Sequence, residues 1–234
     1  MGTLGFNARV HDDSRTPMMD GQTREITFTS DGLALEGILH LPGSSPSPAV
    51  AVCHPHPLYG GDMHNNVVVA LCRAAAARGI AALRFNFRGV GSSQGSFADG
   101  VGERADAAAA LAHLPQMLEV DDGRVGIVGY SFGAAVALLA AGEGLRAVVA
   151  VSTPTIARGL SEIAIRCPAL LVVGEQDQVA PPSRLASLGQ AVGPQAELVV
   201  APGADHFWWG AEDRLAAIVS DFLVRTLTTP VGRA

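Results

Sequence analysis

The segment from Arg124 to Gly133 has the residue pattern with the clearest chemical meaning in the chain. It reads RVGIVGYSFG and places Ser131 in a G-x-S-x-G motif between an apolar stretch and the alanine-rich segment 134–141. When this motif joins a buried strand to a helix, the chain turns sharply and presents the serine at the turn. Gly129 and Gly133 supply the small residues that such a strained turn needs. Ser131 is therefore predicted to be a nucleophile rather than an incidental serine on a strand–helix turn.

A serine hydroxyl is a weak nucleophile, so Ser131 needs a base, and the base needs an acid that orients it. Where a G-x-S-x-G serine acts, the acid and then the histidine follow it in the chain. His206 is the only histidine after Ser131 and is the predicted base. Asp177, just past a predicted strand, is the predicted acid, with Glu175 as the fallback. Asp205 is a weaker candidate, because side chains of neighbouring loop residues usually point apart.

The chemistry also requires two backbone N–H groups that face the oxygen of the tetrahedral intermediate. Phe132, directly after the nucleophile, is predicted to supply one of them. The second is expected from the loop 54–61, which follows an apolar strand and reads HPHPLYGG. Its two prolines have no N–H, which leaves His56, Leu58 and Tyr59. We expect Leu58 to be the donor, with Tyr59 as the fallback, and the prolines to stiffen the loop.

The same loop offers an alternative kind of site. His54, His56, Asp62 and His64 resemble a metal-ligand cluster, and a His-x-His pair can bind zinc. A metallohydrolase would need further ligands downstream and would not need the serine turn. We therefore predict no metal, and expect His54 and His56 to fix the loop by hydrogen bonds.

Aromatic residues concentrate in the three segments that carry the candidate residues. Both tyrosines, Tyr59 and Tyr130, and both tryptophans, Trp208 and Trp209, lie there, and Phe207 lies beside them. Packing of the core alone would have scattered these side chains through the strands. We expect them to line a pocket for the acyl or alcohol part of a substrate; the alternative is that some of them anchor loops.

Short apolar runs alternate along the chain with segments of helical spacing. Apolar or alternating runs predict strands at 25–29, 33–41, 49–53, 80–85, 125–128, 147–151, 169–173 and 197–200. Helical spacing predicts helices at 65–78, 103–118, 132–141, 156–165, 182–191 and 211–227.

This alternation predicts an α/β fold with a mostly parallel central sheet of about eight strands and helices on both faces. The first two strands, on either side of Ser30-Asp31-Gly32, are expected to form an antiparallel hairpin. Residues 1–22 are predicted to be a flexible leader, residues 23–228 a single domain and residues 229–234 a tail. The candidate residues all follow predicted parallel strands, where open α/β sheets place their sites.

The composition excludes several classes of chemistry. All 16 cationic residues are arginine, so the chain has no lysine for a Schiff base, a pyridoxal phosphate anchor, a P-loop or a Ser–Lys hydrolase site. No cofactor is predicted. The formal net charge of −6 argues against a nucleic-acid partner, because phosphate binding needs a basic surface.

The sequence also gives expectations about location and partners. It has no apolar run of the roughly 18 residues that a membrane span needs and no apolar segment typical of a signal peptide. Three scattered cysteines, Cys53, Cys72 and Cys167, are typical of free thiols in a reducing compartment. A cytoplasmic location without a membrane partner is therefore expected. The closing helix or the leader could pack against a second subunit to form a homodimer.

With these features in order, residues 25–227 resemble the α/β-hydrolase superfamily. The chain is most similar to its small bacterial esterase-like members that lack a lid and are related to the dienelactone hydrolases. The segments 54–61 and 84–93, which read HPHPLYGG and RFNFRGVGSS, carry this closer resemblance. Dienelactone hydrolase has a cysteine nucleophile, whereas this chain has Ser131. Only residues 152–168 separate the sixth predicted strand from the next, which leaves no room for a cap domain.

The resemblance implies a carboxylesterase that cleaves short-chain or small soluble esters through an acyl-enzyme. Thioesterase, acyltransferase and prolyl-type peptidase activities are alternatives within the same chemistry. A non-catalytic relative that only binds ligands is an alternative of another class. Such relatives typically lack a member of the serine–histidine–acid set, and this sequence has all three.

Overall fold

The computed structural model describes residues 22–154, 160, 163 and 165–228. The predicted tail and the predicted leader, apart from Gln22, lie outside these residues. Most of the helix predicted at 156–165 also lies outside them.

The described residues form eight strands and five α-helices. The strands are β1 (Thr23–Ser30), β2 (Leu33–His40), β3 (Ser47–Cys53), β4 (Ala81–Phe85), β5 (Val120–Tyr130), β6 (Ala147–Val151), β7 (Ala169–Gly174) and β8 (Ala196–Ala201). The helices are α1 (Asn66–Ala77), α2 (Val101–His113), α3 (Phe132–Ala140), α4 (Leu185–Val192) and α5 (Glu212–Leu227).

All eight strands belong to one sheet, in the order β1-β2-β4-β3-β5-β6-β7-β8. The strands from β4 to β8 in this order are parallel, whereas β1 and β2 pair with each other, and β2 with β4, in antiparallel fashion. Asp31 and Gly32 connect β1 to β2 with φ angles of 49° and 80°, which suits a two-residue hairpin turn. The predicted mostly parallel sheet with an antiparallel hairpin is confirmed.

The sheet is covered on both faces, because its central strands are apolar at almost every position, Arg84 of β4 and Ser47 of β3 being exceptions. All residues of β3, β4, β6 and β7 are buried. Helices α1 and α5 pack on one face, and α2, α3 and α4 pack on the other. Within the described part of the chain, no helix is long and apolar enough to cross a membrane.

The end of α2 and the start of β5 lie furthest from their predicted positions. Helix α2 ends at His113, and residues Leu114–Gln116 continue as a 3-10 turn, because Pro115 has no N–H to continue the α-helix. Strand β5 begins at Val120, earlier than predicted. Its first part is polar, so a search for apolar runs does not detect it. In that segment Arg124 forms an ion pair with Asp121.

The carboxyl ends of the parallel strands meet at one edge of the sheet. Strand β3 leads directly to His54, β5 to Ser131, β7 to the loop that contains Asp177, and β8 to the loop that contains His206. The fold therefore brings together four loops that are far apart in the sequence, as expected for an open α/β sheet.

Candidate active site

The turn between β5 and α3 holds Ser131 in a strained backbone conformation, with φ 55° and ψ −119°. Its N–H donates to the carbonyl oxygen of Val151 at 2.9 Å. A Cβ on Gly129 would overlap the carbonyl group of Gly133, and a Cβ on Gly133 would overlap the carbonyl oxygen of Cys53. Both glycines are thus required by close backbone contact, which explains the G-x-S-x-G spacing.

Ser131, His206 and Asp177 form one hydrogen-bonded chain. The Ser131 Oγ lies 3.0 Å from Nε2 of His206, and Nδ1 of His206 lies 3.0 Å and 2.9 Å from the two carboxylate oxygens of Asp177. All three residues are buried, with Ser131 the most accessible at 8% exposure. This arrangement suits a nucleophile, a base and the acid that orients the base.

Asp177 lies where its charged form is stabilised. Its Oδ1 accepts hydrogen bonds from the N–H groups of Val179 at 3.0 Å and Ala180 at 2.7 Å. Burial opposes ionisation of this carboxyl group, but hydrogen bonds from His206, Ala180 and Ser152 outweigh it and hold the pKa of Asp177 below its usual value. Asp177 therefore remains a carboxylate that can stabilise a protonated His206.

The other two acidic candidates hold loops instead. Glu175 accepts a hydrogen bond from the N–H of Gly203 at 2.9 Å. Asp205 accepts from the N–H groups of Phe207 at 3.0 Å and Trp208 at 2.9 Å. Both carboxylates fix the turn around His206, and the structure places Asp177, the first choice from the sequence, at its imidazole.

Tyr130 and Trp208 are buried, which corrects the expectation that they line a substrate pocket. The Tyr130 hydroxyl donates to the carbonyl oxygen of His206 at 2.8 Å, and the Trp208 Nε1–H donates to Ser152 Oγ at 3.1 Å. Both rings belong to the core between the sheet and helices α1 and α5. They anchor the loop of His206, because each large ring finds a polar partner there for its polar atom.

The remaining aromatic candidates lie on the surface around the site. Tyr59 is 87% exposed, Trp209 72% and Phe207 54%. The Phe207 ring lies 5.5 Å from the ring of His206, centroid to centroid. These side chains leave an open, apolar rim that is accessible from solvent within the described part of the chain.

In the loop after β3, the two N–H groups predicted to face the oxyanion form hydrogen bonds within the loop instead. The N–H of Leu58 donates to Nδ1 of His56 at 3.2 Å, and the N–H of Tyr59 donates to the carbonyl oxygen of His56 at 3.1 Å. Both are used within a 3-10 turn at Pro57–Tyr59, so the expectation that Leu58 or Tyr59 supplies an oxyanion donor is wrong for this conformation. Phe132 is the first residue of α3, so its N–H has no carbonyl oxygen of a preceding helical turn to which it could donate.

The histidines of this loop form hydrogen bonds, as expected. Nε2 of His54 accepts from the N–H of Phe87 at 3.1 Å, and its Nδ1 lies 2.7 Å from the carbonyl oxygen of Pro55. Among the described residues, no group of three or more His, Cys, Asp or Glu side chains is placed to hold a metal ion.

A ring cluster beside Ser131 was not predicted from the sequence. The ring of His56 lies 4.8 Å from that of Phe132 and 5.1 Å from that of Phe97, and Phe97 lies 5.9 Å from Phe132. Phe97 comes from the long loop between β4 and α2. Its position in a glycine-rich segment gave no periodic signal, because only tertiary contacts bring that loop to the turn at Ser131.

Comparisons with known proteins agree with this fold. An alpha-beta serine hydrolase homologue from Coxiella burnetii has a TM-score of 0.76 and 33% identity over 87% of this chain and 97% of its own. XC6422 from Xanthomonas campestris, described as a serine hydrolase without a lid, has a TM-score of 0.79 and 30% identity over 89% of this chain and 97% of its own. The chain is thus an α/β hydrolase with a serine-hydrolase fold, and the residues that the structure describes form no lid over the site.

A family model and a curated relative also match the sequence of this chain. The family model for X-Pro dipeptidyl-peptidases (S15 family) matches residues 31–158, more than half of the chain, and the chain belongs to this family. The chain is also 32% identical over 211 residues to the uncharacterized protein RP471 of Rickettsia prowazekii. The matched region covers 86% of this chain and 88% of that protein. The closer likeness to dienelactone hydrolases stays a prediction.

Proposed function

We propose that this protein is a carboxylesterase that uses Ser131 as nucleophile, His206 as base and Asp177 as the orienting acid. The observation that supports this proposal is the chain of hydrogen bonds from Ser131 Oγ through both ring nitrogens of His206 to the Asp177 carboxylate, at 3.0 Å and 2.9 Å. The spacing lets the imidazole take a proton at Nε2 while Asp177 stabilises the resulting charge.

In the first half of the reaction, Ser131 Oγ attacks the ester carbonyl carbon and transfers its proton to Nε2 of His206. The carbonyl oxygen becomes an oxyanion, which the N–H of Phe132 stabilises. The N–H of His56 is the remaining loop amide that we assign as second donor, since those of Leu58 and Tyr59 are occupied. The C–O bond to the alcohol then breaks, and the alcohol leaves with the proton from His206.

In the second half, water attacks the acyl-enzyme. His206 takes a proton from this water, and the carbonyl oxygen again becomes an oxyanion at the same two amides. Collapse of the intermediate breaks the bond to Ser131 Oγ, which recovers its proton from His206 and releases the carboxylic acid. No cofactor takes part in this scheme.

The open site favours small or soluble esters over lipid aggregates. The exposed rim contains Tyr59, Phe207 and Trp209, and no lid covers a hydrolase of this kind in its Xanthomonas relative. An apolar rim binds organic groups, while an open site gives the deacylating water access.

A prolyl-type peptidase is the second candidate, because the chain belongs to the S15 family of X-Pro dipeptidyl-peptidases. The same Ser131 chemistry cleaves an amide when His206 protonates the leaving amine. The two functions differ in the substrate: the peptidase requires a proline beside the scissile bond, whereas the esterase does not. Thioesterase and acyltransferase activities use the same acyl-enzyme.

A substrate panel with purified protein separates these functions. We expect turnover of p-nitrophenyl acetate and butyrate, and labelling of Ser131 by a fluorophosphonate probe. The panel also contains a thioester, an X-Pro anilide and an alcohol acceptor for acyl transfer. Faster cleavage of the X-Pro anilide than of any ester would contradict the esterase proposal and support the peptidase.

Ser131→Ala is the decisive variant, with Ser187→Ala on the exposed surface of α4 as its matched control. We expect Ser131→Ala to lose ester turnover by at least about 10³-fold, and Ser187→Ala to retain it. Wild-type turnover by Ser131→Ala would contradict the proposal. A wild-type protein that neither reacts with the probe nor cleaves any substrate would instead be a ligand-binding relative.

A further inference from the structure

An open cavity lies beside the loop that carries His56, the assigned second oxyanion donor. We call it the side groove; its volume is about 400 Å³, within the range of small-molecule sites. One wall comes from the loop after β3 and the other from the loop after β4. Its lining includes the side chains of Leu58, Asp62, Arg88, Val90 and Phe97.

The second wall of the side groove is held firmly in place. Glu36 Oε1 accepts hydrogen bonds from the N–H of Ser92 and from Asn86 Nδ2, both at 2.7 Å. Ser93 Oγ accepts from the N–H of Glu36 at 3.1 Å and donates to the carbonyl oxygen of Asn86 at 2.7 Å. The wall is thus built before a ligand arrives, as is usual for small-molecule sites.

The charges at the side groove already have partners within the protein. The Arg88 guanidinium pairs with Asp106 at 2.7 Å and with Asp31 at 3.1 Å. Asp62 Oδ1 accepts a hydrogen bond from the N–H of His64 at 2.7 Å. Two carboxylates neutralise Arg88, and Asp62 adds a carboxylate to the lining, so the groove disfavours an anionic acyl group. Its apolar side chains favour a neutral group.

One end of the side groove, at Phe97, lies beside the residue that follows the nucleophile. The Phe97 ring, which lines the groove, lies 5.9 Å from the Phe132 ring and 5.1 Å from the His56 ring. Phe132 follows Ser131 directly in the chain. A group bonded to the carbonyl carbon at Ser131 can therefore extend along these rings into the groove.

The position of His206 decides which side of the ester faces the side groove. The leaving alcohol must lie at Nε2 of His206 to receive its proton. The ring of His206 contacts the rings of Tyr130 and Phe207, at 5.8 Å and 5.5 Å. The rings at the groove, those of Phe97 and His56, lie on the side of Phe132 instead. With the alcohol on the Phe207 side of His206, the acyl group extends along the rings of Phe132 and Phe97 toward the groove.

We propose that the side groove is the acyl-binding site and that it selects esters of neutral, apolar acyl groups larger than acetyl, such as aromatic or branched acids. The inference rests on the proposed esterase function and adds a substrate class to it. Leu58, Val90 and Phe97 provide the apolar contacts, and the paired charges of Arg88 disfavour an acyl group with a charge of its own.

Val90→Trp tests this assignment by filling the side groove. Its matched control is Leu118→Trp, because Leu118 is 94% exposed and precedes β5 at the opposite edge of the sheet. Values of kcat/KM are measured for p-nitrophenyl acetate, butyrate and benzoate, and in a second series for acetates of phenol and naphthol. The first series varies only the acyl group, and the second only the alcohol.

We expect Val90→Trp to lower kcat/KM for the benzoate by at least about tenfold relative to the acetate. Neither the alcohol series nor Leu118→Trp should show such a change. Val90→Ala, which enlarges the groove without bulk that could impair folding, should raise kcat/KM for p-nitrophenyl naphthoate relative to the acetate.

The outcomes separate the inference from the proposed function. If wild-type protein cleaves the acetate, but Val90→Trp affects benzoate and acetate equally or acts only on the alcohol series, the acyl assignment is wrong while the esterase function stands. An unchanged naphthoate-to-acetate ratio in Val90→Ala would likewise overturn it. A wild type that cleaves no ester would overturn both.

Discussion

His54 is a buried histidine whose protonation should destabilise the protein. Its Nε2 accepts a hydrogen bond from the N–H of Phe87, and its Nδ1 faces the carbonyl oxygen of Pro55. A ring that accepts at one nitrogen and donates at the other is neutral. Burial lowers the pKa of His54 from 6.5 to about 4, and the Pro55 hydrogen bond and the charge of Asp62 oppose this only in part.

The lowered pKa converts into a pH-dependent stability. The unfolded chain binds a proton at this histidine below about pH 6.5, but the folded protein does not until about pH 4. The stability that neutral His54 confers is therefore complete above pH 6.5 and lost as the pH falls toward 4. For these two pKa values, linkage gives a loss of about 2 kcal/mol by about pH 5 and about 3 kcal/mol by about pH 4.

His54→Gln isolates this contribution, because a glutamine amide can accept from the Phe87 N–H but does not titrate. The free energy of unfolding of both proteins is measured by urea denaturation at about pH 7.5, 6 and 5. All other titrating groups are shared, so their effects cancel in the difference. We expect the variant to be less stable at about pH 7.5 and the gap between the two proteins to narrow by about 2 kcal/mol by about pH 5.

A constant stability gap across this pH range would contradict the prediction, because it would mean that His54 has the same pKa in the folded and unfolded chains. Widening of the gap at lower pH would refute it too, since that requires a folded-state pKa above the unfolded value. Near-ultraviolet circular dichroism at about pH 7.5 checks that the variant retains the native packing.

Three further substitutions test the supports of the site. Gly133→Ala should destabilise the fold by more than about 3 kcal/mol and abolish fluorophosphonate labelling, because its Cβ would overlap a carbonyl oxygen of the adjacent loop; normal labelling and stability would contradict this. Asp106→Ala should cost about 3 kcal/mol in urea denaturation, since it leaves the largely buried charge of Arg88 without its fully buried partner, and a cost near zero would contradict it. Tyr130→Phe should cost about 1 kcal/mol through the lost hydrogen bond to the carbonyl oxygen of His206. The same variant should lower kcat with little change in KM, and a pure KM effect would instead indicate substrate contact.

The order of strands and helices was predictable because it depends on local apolar periodicity. Buried parallel strands such as β6 and β7 are continuous apolar runs, and their predicted and observed positions agree. The start of β5 was not predictable, because residues 121–124 are polar and their strand conformation depends on the neighbouring strand and on the ion pair of Arg124 with Asp121.

The site was predictable to different degrees for its different parts. The G-x-S-x-G motif predicts Ser131 as the nucleophile, because the sharp turn requires small residues on either side of it. His206 was predictable as the base, because no other histidine follows Ser131 in the chain. The sequence ranked Asp177 ahead of Glu175 and Asp205, but only the structure shows which of the three carboxylates contacts the imidazole. The structure brings Asp177 to the imidazole and uses the other two to hold the turn around it.

Features that depend on short-range chemistry could be predicted from the residues alone: the glycines around Ser131, the alternation of elements, and a lysine-free composition that excludes lysine-based catalysis. Which groups are free to act depends on the folded structure. It buried Tyr130 and Trp208 as anchors and engaged the N–H of Leu58 with His56. It also brought Phe97 from a distant loop to Phe132. Solvent exposure and hydrogen-bond partners depend on contacts between segments that are remote in the chain. Residue types and their spacing do not encode these contacts.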